Sequence, residues 1–178
     1  ILATGSKASP KTGSDGLGYK IAAYFGHSII EPLPALVQLK ANTNFLKDWH
    51  GIRSDVSVSL IENNKIIDTQ IGEIQLTDYG VSGICIFCLS GQVSRGLSLN
   101  KKEQLSINFM HPFNLNQKDQ FIKWMDERTK LVKNRSISDL LDGLLNYKLI
   151  NLILKLSKID RNFSWNKLSL YVRILLVL

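Results

Sequence analysis

Gly51-Ile52-Arg53-Ser54-Asp55-Val56-Ser57-Val58-Ser59-Leu60-Ile61 leads through Glu62-Asn63-Asn64-Lys65 into Ile66-Ile67-Asp68-Thr69-Gln70-Ile71-Gly72-Glu73-Ile74-Gln75-Leu76-Thr77. Val56, Val58 and Leu60 alternate with Ser57 and Ser59, the period-two pattern of a half-buried strand. Two asparagines tolerate left-handed backbone, so Glu62–Lys65 reads as a hairpin turn. The return strand runs from about Lys65 to Thr77 with Ile74 and Leu76 facing in, and Gly72 is a candidate bulge. A long antiparallel hairpin with one apolar face is therefore expected.

Working outward, Leu33, Ala35, Val37 and Leu39 alternate, and residues 29–40 read as a strand whose start, at Pro32 and Pro34, lies at an edge or bend. Residues 42–49 read as a loop with one helical turn. Residues 77–83 read as a loop, and the stretch from Gly83 to about Arg95 reads either as a strand or as a helix N-capped by Ser82 with Ile84, Phe87, Cys88 and Leu89 inward. Gln104–Met110 is a further strand, with Leu105, Ile107 and Phe109 on one face. From His111 the period becomes helical. Asn116 starts a helix bearing Phe121, Ile122, Met125 and Val132, and Ser136-Ile137-Ser138-Asp139 resembles a capping box. It opens a leucine-rich pair of helices, 137–145 and 147–158, hinged near Asn146. Ser164 caps a last helix bearing Trp165, Leu168 and Val172. Strands first and helices second predict an all-β part with an all-α part attached.

The N-terminal stretch, Ile1-Leu2-Ala3-Thr4-Gly5-Ser6-Lys7-Ala8-Ser9-Pro10-Lys11-Thr12-Gly13-Ser14-Asp15-Gly16-Leu17-Gly18-Tyr19, has another character. It begins apolar, like the end of a buried strand, and then crowds four glycines into eighteen residues. A helix capped by Ser14-Asp15 runs to about Phe25, with Gly26 as its C′ residue. Glycine loops between a strand and a helix can aim amide N–H groups at an anion. They also serve as plain turns, and neither G-x-G-x-x-G nor G-x-x-x-x-G-K-[ST] is present. Lys7 and Lys11 can meet a phosphate or simply be solvated. Asp15 can bond a ribose or simply cap its helix.

Three ordered segments carry a resemblance. The first is Leu2–Lys7 with Pro10–Gly16 and Gly18-Tyr19-Lys20. The second is Gly26-His27-Ser28-Ile29-Ile30-Glu31-Pro32-Leu33-Pro34-Ala35-Leu36-Val37. The third is Gly72-Glu73-Ile74-Gln75-Leu76-Thr77-Asp78-Tyr79-Gly80-Val81-Ser82-Gly83. Together they resemble the aminoacetone-oxidase-like FAD-dependent oxidoreductases, over roughly the first half of the chain; Ser6 stands where that family prefers glycine. The resemblance implies an α+β fold: a small Greek-key-like β-barrel with an attached or inserted all-α helical subdomain, preceded by a strand–loop–helix piece of the flavin-binding domain. The segments implied are 1–28 for that piece, 29–112 for the barrel and 113–178 for the helices. The resemblance also implies the helical reading of residues 83–95. FAD is the implied cofactor, and Ala3, Thr4, Gly5, Ser6, Lys7, Thr12, Gly13, Asp15 and Gly16 are the implied flavin-lining residues. The implied whole is a flavin-dependent oxidoreductase of which this chain is the middle, insert-side portion, inactive alone and short of the fingerprint domain and the last barrel strands. Its partners are the remaining flavin-binding segments of the same polypeptide and a small-molecule substrate, with neither nucleic acid nor membrane involved. Exposed sheet edges can pair with another copy.

Composition bounds these readings. The chain has 178 residues, 44% hydrophobic and 21% charged, which excludes wholesale disorder. The net charge of +7 is spread with no basic run longer than Lys101-Lys102, as solvated faces would be. Two cysteines make no disulfide framework and fit a cytoplasmic setting, and no leader pattern is seen. Both ends read as cut from something larger. The final apolar run, Ile174-Leu175-Leu176-Val177-Leu178, is far shorter than the ~20 residues of a membrane helix.

Other constellations are weaker. Cys85-x-x-Cys88 lacks two further ligands at zinc spacing, since His27, His50 and His111 are scattered, and no metal site is expected. Both thiols read as buried on a helix face. Glu73 and Asp78 read as a strand end and a loop before they read as an acid/base pair. No catalytic residue can be nominated, since in a flavoenzyme the cofactor carries the redox chemistry. Two rival readings remain: a basic barrel binding RNA or a ribosome-like partner, which would need aromatics among exposed basics on a sheet face, and an interaction module docking through the leucine-rich helices.

Overall fold

A computed structural model describes residues 1–132 and 135–169. The expected hairpin is its centre. Strands β2 (Arg53–Glu62) and β3 (Lys65–Leu76) pair antiparallel around Asn63 and Asn64, both in left-handed backbone at φ 50° and 63°. That is the turn whose twist matches the strands it joins. The register slips between Leu60 and Ile61, so the bulge falls at Ile67 on β3 and not at Gly72, which pairs with Val56.

Strands β1 (Leu39–Lys40), β4 (Gly80–Ser82) and β5 (Glu103–Asn108) complete one antiparallel sheet in the order β1-β4-β3-β2-β5. The succession β4-β3-β2-β5 is a Greek key, the long return from β4 to β5 being spanned by helix α3 (Ile84–Ser98). The sheet is curled into half a barrel, and the fold is α+β as expected.

One face of the hairpin supplies Val56, Val58, Leu60, Ile74 and Leu76 to the core, against Cys85, Ile86, Leu89 and Val93 of α3. The inward face of α3 is only partly the expected one: Leu89 is buried, but Ile84 is exposed, and of the two thiols read as buried Cys85 is and Cys88 is not. The cause is the helix start. Gly83, at φ 114°, lies so close to Glu73 that an added Cβ would overlap the Glu73 carbonyl. That close approach fixes the phase of the helix, and Gly83 rather than Ser82 occupies the N-cap position. Residues 77–83 are also less of a loop than expected, since Gly80–Ser82 form β4. Thr77 accepts a hydrogen bond from the Gly80 amide at 3.0 Å, and its carbonyl accepts one from Trp49 Nε1 at 3.0 Å, tying in helix α2 (Leu46–Trp49).

Residues 29–38 form no strand; only Leu39–Lys40 pair. Pro32 and Pro34 have no N–H to give a ladder, and Leu36 at φ 54° breaks the extended path. The helical part follows the sequence more closely. Helix α4 (Lys118–Leu131) begins on a Gln117/Gln120 capping box, two residues later than expected. Helix α5 (Ile137–Leu141) starts on the Ser136/Asp139 box and ends four residues earlier than expected, where Gly143 turns left-handed at φ 78°. Helix α6 (Tyr147–Leu156) is capped by Asn146, whose side chain accepts from the Lys148 amide. Ser164 makes no side-chain cap, and Trp165–Lys167 form a 3-10 turn. The helix expected to carry Val172, and the run to Leu178, lie outside the described residues.

Two apolar clusters result, and α6 serves both. Leu149 and Leu152 enter the sheet–α3 core, while Ile150 and Leu154 join Phe121, Met125, Ile137, Leu140 and Trp165. Trp165 is fully buried, edge-on to Phe121 at 6.2 Å, with its Nε1 donating to Asp126 Oδ1 at 2.6 Å. Trp165→Ala removes both contacts and leaves a cavity. We expect it to cost about 3–5 kcal/mol, the usual range for an aromatic deleted from a core, read by chemical denaturation.

Glu103 has a buried carboxylate oxygen. It faces Glu62 across β2 and β5 and lies where a side chain at Gly96 would be; its buried Oε2 has no hydrogen-bond partner among the described residues. Burial pushes its carboxyl above the ordinary value, the Glu62 charge adds to this, and Lys101 opposes it. A carboxyl raised in the folded state contributes stability below its unfolded pKa of ~4.3 and loses it as pH rises through the folded value. Glu103→Gln should therefore melt higher than the wild type at pH 7, with the gap closing as the pH falls to about 4. An equal gap at both values would refute this.

Candidate functional site

The glycine stretch folds as a loop and a helix without the expected strand. Residues 1–6 are exposed coil, since no described strand lies alongside to take up their N–H and C=O groups. Pro10–Thr12 form a 3-10 turn closed by Gly13 at φ 87°, and Thr12 Oγ1 donates to the Ser9 carbonyl at 2.7 Å. Helix α1 (Leu17–Tyr24) follows, with Gly16 at its N-cap position in left-handed backbone. Asp15 Oδ1, one residue before the N-cap position, accepts from the Leu17 amide at 2.9 Å. At the other end Gly26 donates to Ala23 and His27 to Ala22, the paired bonds of a Schellman motif.

The loop brings its two halves together. The single O–H of Ser14 reaches back to the other half of the loop, shared between the Ser6 carbonyl at 2.5 Å and the Thr4 carbonyl at 3.2 Å. An added Cβ at Gly5 would overlap Ser14 Oγ, and one at Gly18 would overlap Thr4 Oγ1. Those two glycines are small because their own loop fills the space. Gly13 differs: an added Cβ there meets nothing within 4 Å. The space beside it is open, so a planar or anionic group has room to approach the backbone there.

The remaining candidates divide. Ala3 and Ser6 are exposed, and Ser6 Oγ accepts from the Ala8 amide at 3.2 Å. Lys7 pairs with Glu31 of the second quoted segment at 2.6 Å, an exposed pair, while Lys11 lies exposed in the 3-10 turn. The third segment serves the barrel corner: Gly83 packs on Glu73, Thr77 holds Gly80, and Glu73 pairs with Arg53 at 2.8 Å. Asp78 is exposed, so Glu73 and Asp78 are the strand end and loop the sequence suggested. Of the two thiols, burial raises the Cys85 pKa, and Cys88 is exposed. No metal-binding group of three side chains occurs among the described residues.

Ser14 and Gly18 are the residues sequence reasoning missed. Both lie inside the quoted segments. The contact from residue 14 back to residues 4 and 6, however, has no local period to announce it. Elsewhere a concavity of about 360 Å³ lies between β5 and the helices, walled by Ile107, Phe109, Phe121, Leu141, Leu145 and Ile153; no glycine-loop residue borders it.

Comparison with known proteins gives this geometry its setting. The family model described as the HI0933-like protein barrel and H2TH domain matches residues 33–173. A 3-dehydro-bile acid delta(4,6)-reductase of Clostridium scindens is 34% identical over 169 residues, 95% of this chain and 41% of the reductase. The chain thus spans about two fifths of the length of that relative. Among the described residues no helix is long and apolar enough to cross a membrane. A Greek-key half-barrel joined to a helical bundle, matched by this family model and by a reductase along nearly its whole length, places the chain in the HI0933-like flavoprotein oxidoreductase family.

Proposed function

We propose that this chain is the insert-side portion of an FAD-dependent reductase acting on a small molecule. Its barrel and helices form the insert, and residues 1–28 form its junction with the flavin-binding domain. Ala3–Lys7, Thr12, Gly13, Asp15 and Gly16 line the flavin crevice. The flavin supplies the redox chemistry when bound. The chain's own contribution is the open backbone position at Gly13, which leaves room for the cofactor. The observation that carries this reading is the joining, in one chain, of an open glycine position to the barrel of a flavoprotein family.

The rest of the polypeptide is the partner. Leu17, Tyr24, Phe25, Ile30, Leu33 and Leu36 are exposed on and after α1, and we read them as the face the remaining flavin-binding segments cover. Without that cover the chain is inactive, and its free β1 and β5 edges can pair with another copy. Two unpaired cysteines suit a cytoplasmic setting.

Two outcomes follow. The purified chain should carry no stoichiometric flavin absorbance near about 450 nm, the chromophore being the cofactor's own. In the full-length protein, Gly13→Val should weaken FAD affinity about ten-fold or more, because one lost bond costs ~1 kcal/mol and a displaced loop more. The apo barrel should melt within a few degrees of wild type, since no residue of the Pro10–Thr12 turn is buried. Unchanged affinity with a large loss of apo stability would assign the glycine to folding alone.

A further inference from the structure

We propose that Ser14 is a positioning residue for flavin binding: its hydroxyl clamps the Gly5 loop so that two backbone amides are presented to the cofactor. The inference rests on the reading of the glycine loop as flavin-lining. Its first ground is where the loop's two halves are hydrogen-bonded together. Residues 1–6 belong to no strand, and the described bonds from Thr4 and Ser6 to the second half of the loop both end on Ser14 Oγ. The bonds of the Ser14 hydroxyl run to Thr4 and Ser6, while the Leu17 amide of α1 is taken by Asp15.

The second ground is peptide geometry. In a trans peptide the C=O and the following N–H point in opposite directions. When the Thr4 and Ser6 carbonyls both turn onto one hydroxyl, the amides of Gly5 and Lys7 are turned away from it. Among the described residues neither amide donates a hydrogen bond. Two unused N–H groups, one on each side of Ser6 and the first on a positive-φ glycine, can face one anion, suited to phosphate or flavin ring oxygens. Gly18 completes the clamp from the helix side: Thr4 packs where its side chain would be. One hydroxyl thus decides which way the loop's donors face.

The test uses the full-length protein and FAD as the probe, with Ser14→Ala, Ser14→Thr and Gly13→Val. Ser14→Ala should weaken FAD binding roughly five-fold, the size of one hydrogen bond, with the apo melt unchanged. Ser14→Thr, which keeps the hydroxyl, should bind within about two-fold of wild type on the same scale. A second readout is independent of the cofactor. Trypsin should cut apo Ser14→Ala after Lys7 several-fold faster than wild type, because the loop is released. Tight FAD binding by Ser14→Ala while Gly13→Val binds weakly would overturn the clamp and leave the flavin reading standing. Full affinity in both variants would remove the flavin reading and the clamp with it. Equal losses in Ser14→Ala and Ser14→Thr would also overturn it, since the hydroxyl would then not be the operative group.

Discussion

A long hairpin with one apolar face must have that face covered, and the structure follows from how the cover is supplied. Val56, Val58, Leu60, Ile74 and Leu76 cannot stay in water at about 25 cal/mol per Å² of apolar surface. Helix α3 covers them from within the barrel part, and α6 adds Leu149 and Leu152 from the helical part. Because α6 also sends Ile150 and Leu154 into the second cluster, the bundle cannot leave the sheet without exposing both cores. Lys155 with Asp48 at 2.9 Å, and Lys148 with the His50 carbonyl at 3.3 Å, add exposed polar ties at the same junction. Such surface contacts are worth little beside the apolar packing.

The glycine-rich segments do two different jobs. Gly5, Gly18 and Gly83 are glycines because a neighbour occupies the space of their side chain. Gly13 is a glycine facing open space. The first group builds the scaffold, whereas Gly13, like Gly26, Gly51 and Gly143, has its side-chain position open. A motif read only as letters gives both kinds the same weight.

Charge plays a smaller part than the net value of +7 suggests. The described ion pairs all join exposed or half-exposed partners, and they link neighbouring strands or segments. The one carboxylate placed at a cost, Glu103, sits where Gly96 lets β5 approach α3.

Local chemistry was legible in the sequence by itself. Alternation set the hairpin, two asparagines set its turn, the Ser136/Asp139 box and Asn146 set two helix starts, and Gly26 set the end of another, because each rests on contacts within a few residues. The three ordered segments carried the family. Tertiary structure decided what depends on distant neighbours. The phase of α3, and so the burial of Cys85 and exposure of Cys88, came from Gly83 docking on Glu73. Residues 29–38 alternate like a strand yet stay unpaired, because prolines and a left-handed Leu36 deny the ladder they would need. The clamp of Ser14 on Thr4 and Ser6 joins residues eight and ten apart through a turn that has no periodicity, so only the folded loop brings them together.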